Sequence, residues 1–222
     1  MNMKNLLIVL ILTISVGVKA QTNKIIGSLK VIEKKIELSD FNKINVLKLN
    51  DKVDVVVGDD FDIQLKINEN LVDYLKFTVS DNTLIISGSD QLKKDYLEKS
   101  KISIQVTLPQ LVSIDHSGNG VFDAKGISAS ELTINKKGNG AMFLEGIAKN
   151  LTIQVTGNGA LYAKDLKSEN VMVQKDGNGA VFINTDQEFI AKLKGNGSLI
   201  NSGNGKSSKQ SVNSGNGSIQ TK

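Results

Sequence analysis

Gly138-Asn139-Gly140-Ala141-Met142-Phe143 is one of seven stretches in this chain that open with Gly-Asn-Gly. The tripeptide stands at Gly118-Asn119-Gly120, Gly138-Asn139-Gly140, Gly157-Asn158-Gly159, Gly177-Asn178-Gly179 and Gly195-Asn196-Gly197, and again from Gly203 and from Gly215. With the Gly203 copy set aside, successive starts advance by 20, 19, 20, 18 and 20 residues. A fixed period of this length marks a solenoid, in which one repeat is one coil and no coil buries its apolar face alone. The expected fold is all-β: a right-handed parallel β-solenoid with coils of about 20 residues, preceded by an N-terminal β region.

Counting outward from each tripeptide exposes apolar columns. Four residues before the first glycine stand Ile114, Ile134, Ile153, Val173 and Ala191. Six before it stand Val112, Leu132, Leu151, Val171 and Phe189. Two after the last glycine stand Phe122, Met142, Leu161, Val181, Leu199 and Ile219. Seven after it stand Ile127, Ile147 and Leu166, and the column ends at Asp186. Stacked rungs would place like-numbered side chains in vertical files about 4.8 Å apart inside the coil. The Gly203 copy lies six residues past Gly197, where Gly126 and Gly146 stand in earlier coils, so it marks a second corner.

Glycine and asparagine suit corners because both tolerate positive φ. Stacked asparagines can also hydrogen-bond along the coil axis, as amide ladders do. A calcium ladder would need a carboxylate in each turn. Only Asp176 precedes a copy; Ser117, Lys137, Thr156, Lys194, Ser202 and Ser214 precede the others. A phosphate-binding loop would need a helix after the glycines, and none is expected. The corners therefore read as structural, and no metal or cofactor site is assigned.

One column invites a functional reading. Three residues past each last glycine stand Asp123, Phe143, Tyr162, Phe182, Ile200 and Gln220. Alternation points this column outward, which makes Phe143, Tyr162, Phe182 and Ile200 a candidate contact face. The alternatives are that the first region of the chain, or a second copy of it, covers the stripe, or that its rings stack on sugars. His116, the one histidine, shares a column with Lys136, Val155, Lys175 and Leu193; this mixture reads as a solvent edge. A lone histidine without a partner ligand is a poor metal or catalytic candidate.

Residues 25–110 alternate with period two around Val53-Val55-Val57, Ile63-Leu65-Ile67 and Ile102-Ile104-Val106-Leu108. Leu84-Ile85-Ile86 follows an Asp81-Asn82 turn. These are half-buried strands. Leu71 and Leu75 suggest one helical turn over 70–76, and 91–99 is a polar excursion. The acids Asp59, Asp60 and Asp62 read as a solvated loop. Pro109, the one proline, marks a boundary near 110, since proline suits strand ends. The solenoid proper is then 111–222.

Residues 1–20 read as a signal peptide: Lys4, an apolar run from Leu6 to Ile14, then small or apolar residues at Val18 and Ala20. The run is short for a membrane span. Export to the periplasm or the outer cell surface follows, with no membrane span after cleavage. The leader holds two of the 27 lysines and no acid, so its removal lowers the net charge from +4 to +2. A near-neutral chain without arginine lacks the basic footprint of a nucleic-acid binder and any bidentate fork for phosphate. The chain has no cysteine, hence neither disulfides nor thiolate metal sites. No repeated acidic column and no Ser–His–acid set marks an enzyme.

Phe41-Asn42-Lys43-Ile44-Asn45-Val46, Val53-Asp54-Val55-Val56-Val57-Gly58, Asn82-Thr83-Leu84-Ile85-Ile86 and the Gly-Asn-Gly series together resemble the family called putative auto-transporter adhesin, head GIN domain. The likeness spans about Phe41 to Thr221. It implies an exported all-β solenoid and, by its name, adhesion. After Gly120 the strands are too short for a membrane barrel, so self-secretion is not expected. The sequence points to a non-catalytic envelope or surface module whose partner is an envelope protein or a glycan. A carbohydrate-active β-helix enzyme and a purely structural envelope protein are the alternatives.

Overall fold

The computed structural model describes residues 25–89, 97–98 and 100–221; the expected signal peptide and most of the polar excursion lie outside them. The strands are β1 (Ile25–Ile26), β2 (Val31–Lys35), β3 (Lys43–Leu47), β4 (Lys52–Val57), β5 (Asp62–Asn68), β6 (Leu75–Ser80), β7 (Thr83–Gly88), β8 (Leu97–Glu98) and β9 (Ile102–Leu108). They continue as β10 (Ser113–Ser117), β11 (Phe122–Lys137), β12 (Met142–Thr156), β13 (Leu161–Asp176), β14 (Val181–Thr185), β15 (Phe189–Lys194), β16 (Leu199–Asn201), β17 (Val212–Asn213) and β18 (Ile219–Thr221). The helical turn expected over 70–76 is a 3-10 helix at Glu69–Tyr74, with Leu71 buried beneath it.

The stack is parallel and in register. Ile114 pairs with Ile134, Ile134 with Ile153, Ile153 with Val173 and Val173 with Ala191, one residue per rung. The file continues backward through Ile44 to Leu84. A second file runs Ile104, Val53, Phe122, Met142, Leu161, Val181, Leu199, Ile219. All but Ile219 are buried. Full burial of each Leu, Ile or Phe is worth about 1.5–3 kcal/mol. The stack of files is therefore what holds the coils together.

Residues before Pro109 supply further rungs. Strands β3 and β4 form a rung directly beneath β10 and the start of β11, and β7 and β9 form the rung beyond that. The stack ends in antiparallel pairs: β6 on β7, β5 on β9, and β2 on β5. The outermost strand, β2, carries exposed Glu33, Lys34 and Lys35. Charges on an edge strand oppose pairing with another molecule. Pro109 follows β9 at a strand end. At the other end, Ser207 bridges Phe189, and the Ser211 hydroxyl accepts a hydrogen bond from the Ala191 N–H at 2.9 Å. The polar last coil is thus tied down.

Three details differ from the sequence reading. First, the corner asparagines do not carry positive φ. The first glycine does, with φ of 102° at Gly138, 105° at Gly157, 132° at Gly177 and 94° at Gly195. The last glycine is needed for space: a Cβ on Gly140 would collide with the Gly120 carbonyl oxygen. Second, Ile147 is 62% exposed, although Ile127 and Leu166 are buried. Its coil is one residue short ahead of this position, so Gly146 and not Ile147 stands on Ile127.

Third, the His116 file is interior. His116, Lys136, Val155, Lys175 and Leu193 are all at most 3% exposed. Period-two alternation from Ile114 places His116 inside whatever its polarity. The lysines survive there by donating hydrogen bonds into the corner that follows each of them: Lys136 Nζ to the Gly138 carbonyl at 3.3 Å and Lys175 Nζ to that of Gly177 at 2.6 Å. Asn201 does the same at the second corner, with its amide on the Gly203 and Gly205 carbonyls at 3.2 and 2.8 Å. His116 has no hydrogen-bond partner on either ring nitrogen and packs edge-on to Phe122.

Candidate contact face

After Gly140, Gly159 and Gly179 the rung opens with one inward residue flanked by two outward ones. The inward residue (Met142, Leu161 or Val181) fixes the strand, and the next residue outward is Phe143, Tyr162 or Phe182. Register pairing puts Phe143 on Tyr162, Tyr162 on Phe182, Phe182 on Ile200 and Ile200 on Gln220. The rings stack: centroids lie 4.8 Å apart at 6° for Phe143–Tyr162 and 5.0 Å apart at 9° for Tyr162–Phe182. Phe143 is 41% exposed, and Tyr162, Phe182 and Ile200 are half-buried. The described residues between 25 and 110 do not bury this stripe. They extend it instead, through Asp54, Gln105 and Gln64 in the same file.

Electrostatics bound the stripe at one end. Asp123 precedes Phe143 in the file and lies beside Asp54, with the Lys52 ammonium on Asp54 and 3.9 Å from Asp123. The hydrogen bond to Asp54 holds the Lys52 ammonium above its ordinary range. Asp51, in the turn beneath Gly120, is pushed up to about 6 by burial.

A polar ladder parallels the aromatic one at the corner. Asn158 Nδ2 donates to Asn139 Oδ1 at 3.3 Å, Asn178 Nδ2 to Asn158 Oδ1 at 2.9 Å and Asn216 Nδ2 to Asn196 Oδ1 at 3.1 Å. Backbone N–H groups of Asn139 and Asn196 reach Asn119 and Asn178 in the same way. The amides thus spend much of their hydrogen-bonding capacity on one another.

A second file, not singled out by the apolar columns, runs on the same side. Val121, Ala141, Ala160, Ala180, Ser198 and Ser218 lie between the two ladders and are half-buried. Their carbonyls accept hydrogen bonds from the rung below, such as Phe122 N–H to Ala141 at 3.0 Å and Leu161 N–H to Ala180 at 2.9 Å. The signal was present one residue past each last glycine, as a run of small residues.

The geometry defines a class: a parallel β-solenoid with an outward aromatic ladder on one side. The chain belongs to the family described as putative auto-transporter adhesin, head GIN domain, whose model matches residues 40–205. That description names a putative adhesin, not an enzyme, and the name suggests a location at the cell surface or beyond it. Among solved structures, a putative adhesin from Bacteroides fragilis NCTC 9343 superimposes with a TM-score of 0.71 at 24% identity, over 89% of this chain and 100% of that one. A putative lipid binding protein from Parabacteroides distasonis ATCC 8503 gives 0.57 at 19%, over 90% and 100%. A putative adhesin from Parabacteroides merdae ATCC 43184 gives 0.52 at 17%, over 90% and 99%. These likenesses establish the shared fold. No curated protein matches the chain. Among the described residues no helix is long and apolar enough to cross a membrane.

Proposed function

We propose that this chain is a non-catalytic, exported envelope or cell-surface module that holds a partner against the Phe143–Tyr162–Phe182–Ile200 ladder. The observation that carries the reading is the ladder itself, three nearly parallel rings stacked at 4.8 and 5.0 Å on an outer face. A buried core needs no such column outside. Apolar groups aligned on a surface are a contact site when they are contiguous.

The ring geometry favours a protein surface over a sugar. Stacking on a pyranose needs an open ring face. Here most of each face is spent on the neighbouring ring, and the edges look outward. Ring edges beside alanine methyls suit apolar side chains of a protein. Family membership supports adhesion as the outcome of such contact.

The test compares the exported chain with a Phe143→Ser, Tyr162→Ser, Phe182→Ser variant on immobilised envelope and matrix proteins and on a glycan array. The expected result is protein binding that weakens at least about tenfold in the variant, as loss of clustered aromatic anchors does. Equal binding by both chains would reject the ladder as the contact face. Glycan binding that survives in the variant would move the site elsewhere.

A further inference from the structure

The ladder does not stand alone. Immediately beside its ridge of rings runs a trough of methyl and hydroxymethyl groups, and both repeat once per rung. Phe143 flanks Ala141, Tyr162 flanks Ala160, Phe182 flanks Ala180, and Ile200 flanks Ser198. The hydrogen bonds Met142 N–H to Ala160 at 3.1 Å and Val181 N–H to Ser198 at 2.9 Å keep the trough in step with the ridge.

We infer that this face is self-complementary and that the partner it fits is a second copy of the same chain. The inference rests on the ladder being a contact face and goes on to name what it contacts. A two-fold axis parallel to the coil axis, running between ridge and trough, carries the ridge of one copy over the trough of the other. Each rung then faces its own equivalent: Phe143 of one copy meets Ala141 of the other, Tyr162 meets Ala160, and Phe182 meets Ala180. Such an isologous contact is what a closed dimer requires.

The spacing selects this partner over an extended peptide. A strand laid along the coil axis presents same-side residues about every 6.7 Å, from its rise of 3.2–3.4 Å per residue. The ladder repeats at 4.8 to 5.0 Å, so a peptide falls out of step within two residues. Another coil stack has the same period, and every rung meshes at once, as in zippered sheets. The ridge is also finite. It ends at Asp123, beside the Lys52–Asp54 pair, and at Gln220. In the two-fold arrangement these polar rungs face each other, and the contact closes on two copies without propagating.

Four apolar rungs span about 15 Å, which is small beside the roughly 800 Å² per partner of a standard interface. The dimer is accordingly weak and depends on concentration. Sedimentation velocity across a range of concentrations tests it with three chains: the wild type, the triple serine ridge variant, and an Ala160→Glu, Ala180→Glu trough variant whose rings are intact. An Ala160→Lys, Ala180→Lys chain serves as a second trough variant, and thermal melts check that each is folded. The wild type should pass from monomer to dimer. Each variant alone should need at least about tenfold more protein to do so. Mixing ridge and trough variants should restore a heterodimer, because one intact ridge then meets one intact trough. A wild type that stays monomeric, trough variants that dimerise like the wild type, or a mixture that fails to associate would each overturn the inference. If the wild type is monomeric while the ridge variant still loses its protein partner, self-association falls and the contact face stands.

Discussion

Gly140 and Gly58 show how unequal glycines are in this chain. A Cβ on Gly140 would run into backbone of the coil below, at Gly120. A Cβ on Gly58 would sit 3.1 Å from the Thr107 side-chain methyl, which can turn aside. Gly140→Ala should therefore cost about 2–4 kcal/mol, in the range of severe overpacking, and Gly58→Ala less than about 1 kcal/mol. Paired thermal or denaturant melts check this, and equal losses would mean the corners are not closely stacked. His116 offers a second residue-scale test. Its burial, with the Lys136 ammonium as a lesser cause, pushes the imidazole down from 6.5 to about 4. The unfolded chain takes up the proton first, so stability is full above pH 6.5 and is lost as pH falls toward 4. The loss attributable to this one group is about 3 kcal/mol at most, at 1.36 kcal/mol per unit. His116→Leu should flatten that part of the acid limb without lowering stability at pH 7, since Val155 and Leu193 already fill the same file. An unchanged difference between wild type and variant from pH 7 to pH 4 would show that the ring is not held neutral.

The coil is the element that the sequence exposes best. Ile114, Ile134, Ile153 and Val173 announce their file because the corner glycines fix the count and period-two alternation fixes the side. The same counting misleads where a coil loses a residue between corners, which is why Ile147 points outward and Gly146 takes its place. It also misleads where polarity is taken for exposure: Lys136 and Lys175 lie inside because corner carbonyls need donors, a demand visible only once the turn has a shape. The end rungs formed by β7 and β9 were harder to read. They carry no Gly-Asn-Gly, and they join the stack out of chain order, parallel to β3 and β4 but capped by antiparallel partners. Because neighbouring coils meet through near-identical corners, one whole coil should be removable. Deleting residues 138–156 joins Lys137 to Gly157-Asn158-Gly159 and seats that corner on Gly118 without shifting any file. This shortened chain should melt cooperatively with a β spectrum. Deleting only 138–147 should not fold, because every later corner would fall about half a coil out of step with the corners beneath it. A full-coil deletion that fails, or a part-coil deletion that succeeds, would contradict stacking in register.

At the scale of the whole molecule, the inward files and the outward ladder come from the same register, yet only the inward files are required for folding. Two ring stacks contribute about 0.5–1.5 kcal/mol each beyond their burial, a small part of what the buried files supply. The ladder's neighbouring trough of Ala141, Ala160 and Ala180 was legible in the sequence as a run of small residues but carried no meaning until it lay beside the rings. We propose the face with ridge and trough in step as the surface for contact, and the side bearing Thr133, Thr152 and Met172 in another outward file is the natural control. The most direct measurement is saturation binding, to whichever immobilised envelope or matrix protein the wild type holds, by three chains: wild type, the triple serine ladder variant, and a Thr133→Lys, Thr152→Lys, Met172→Lys variant of that other side. The account predicts that only the ladder variant loses affinity, by at least about tenfold, while all three melt as folded solenoids. Wild-type affinity in the ladder variant, or equal loss in both variants, would contradict it.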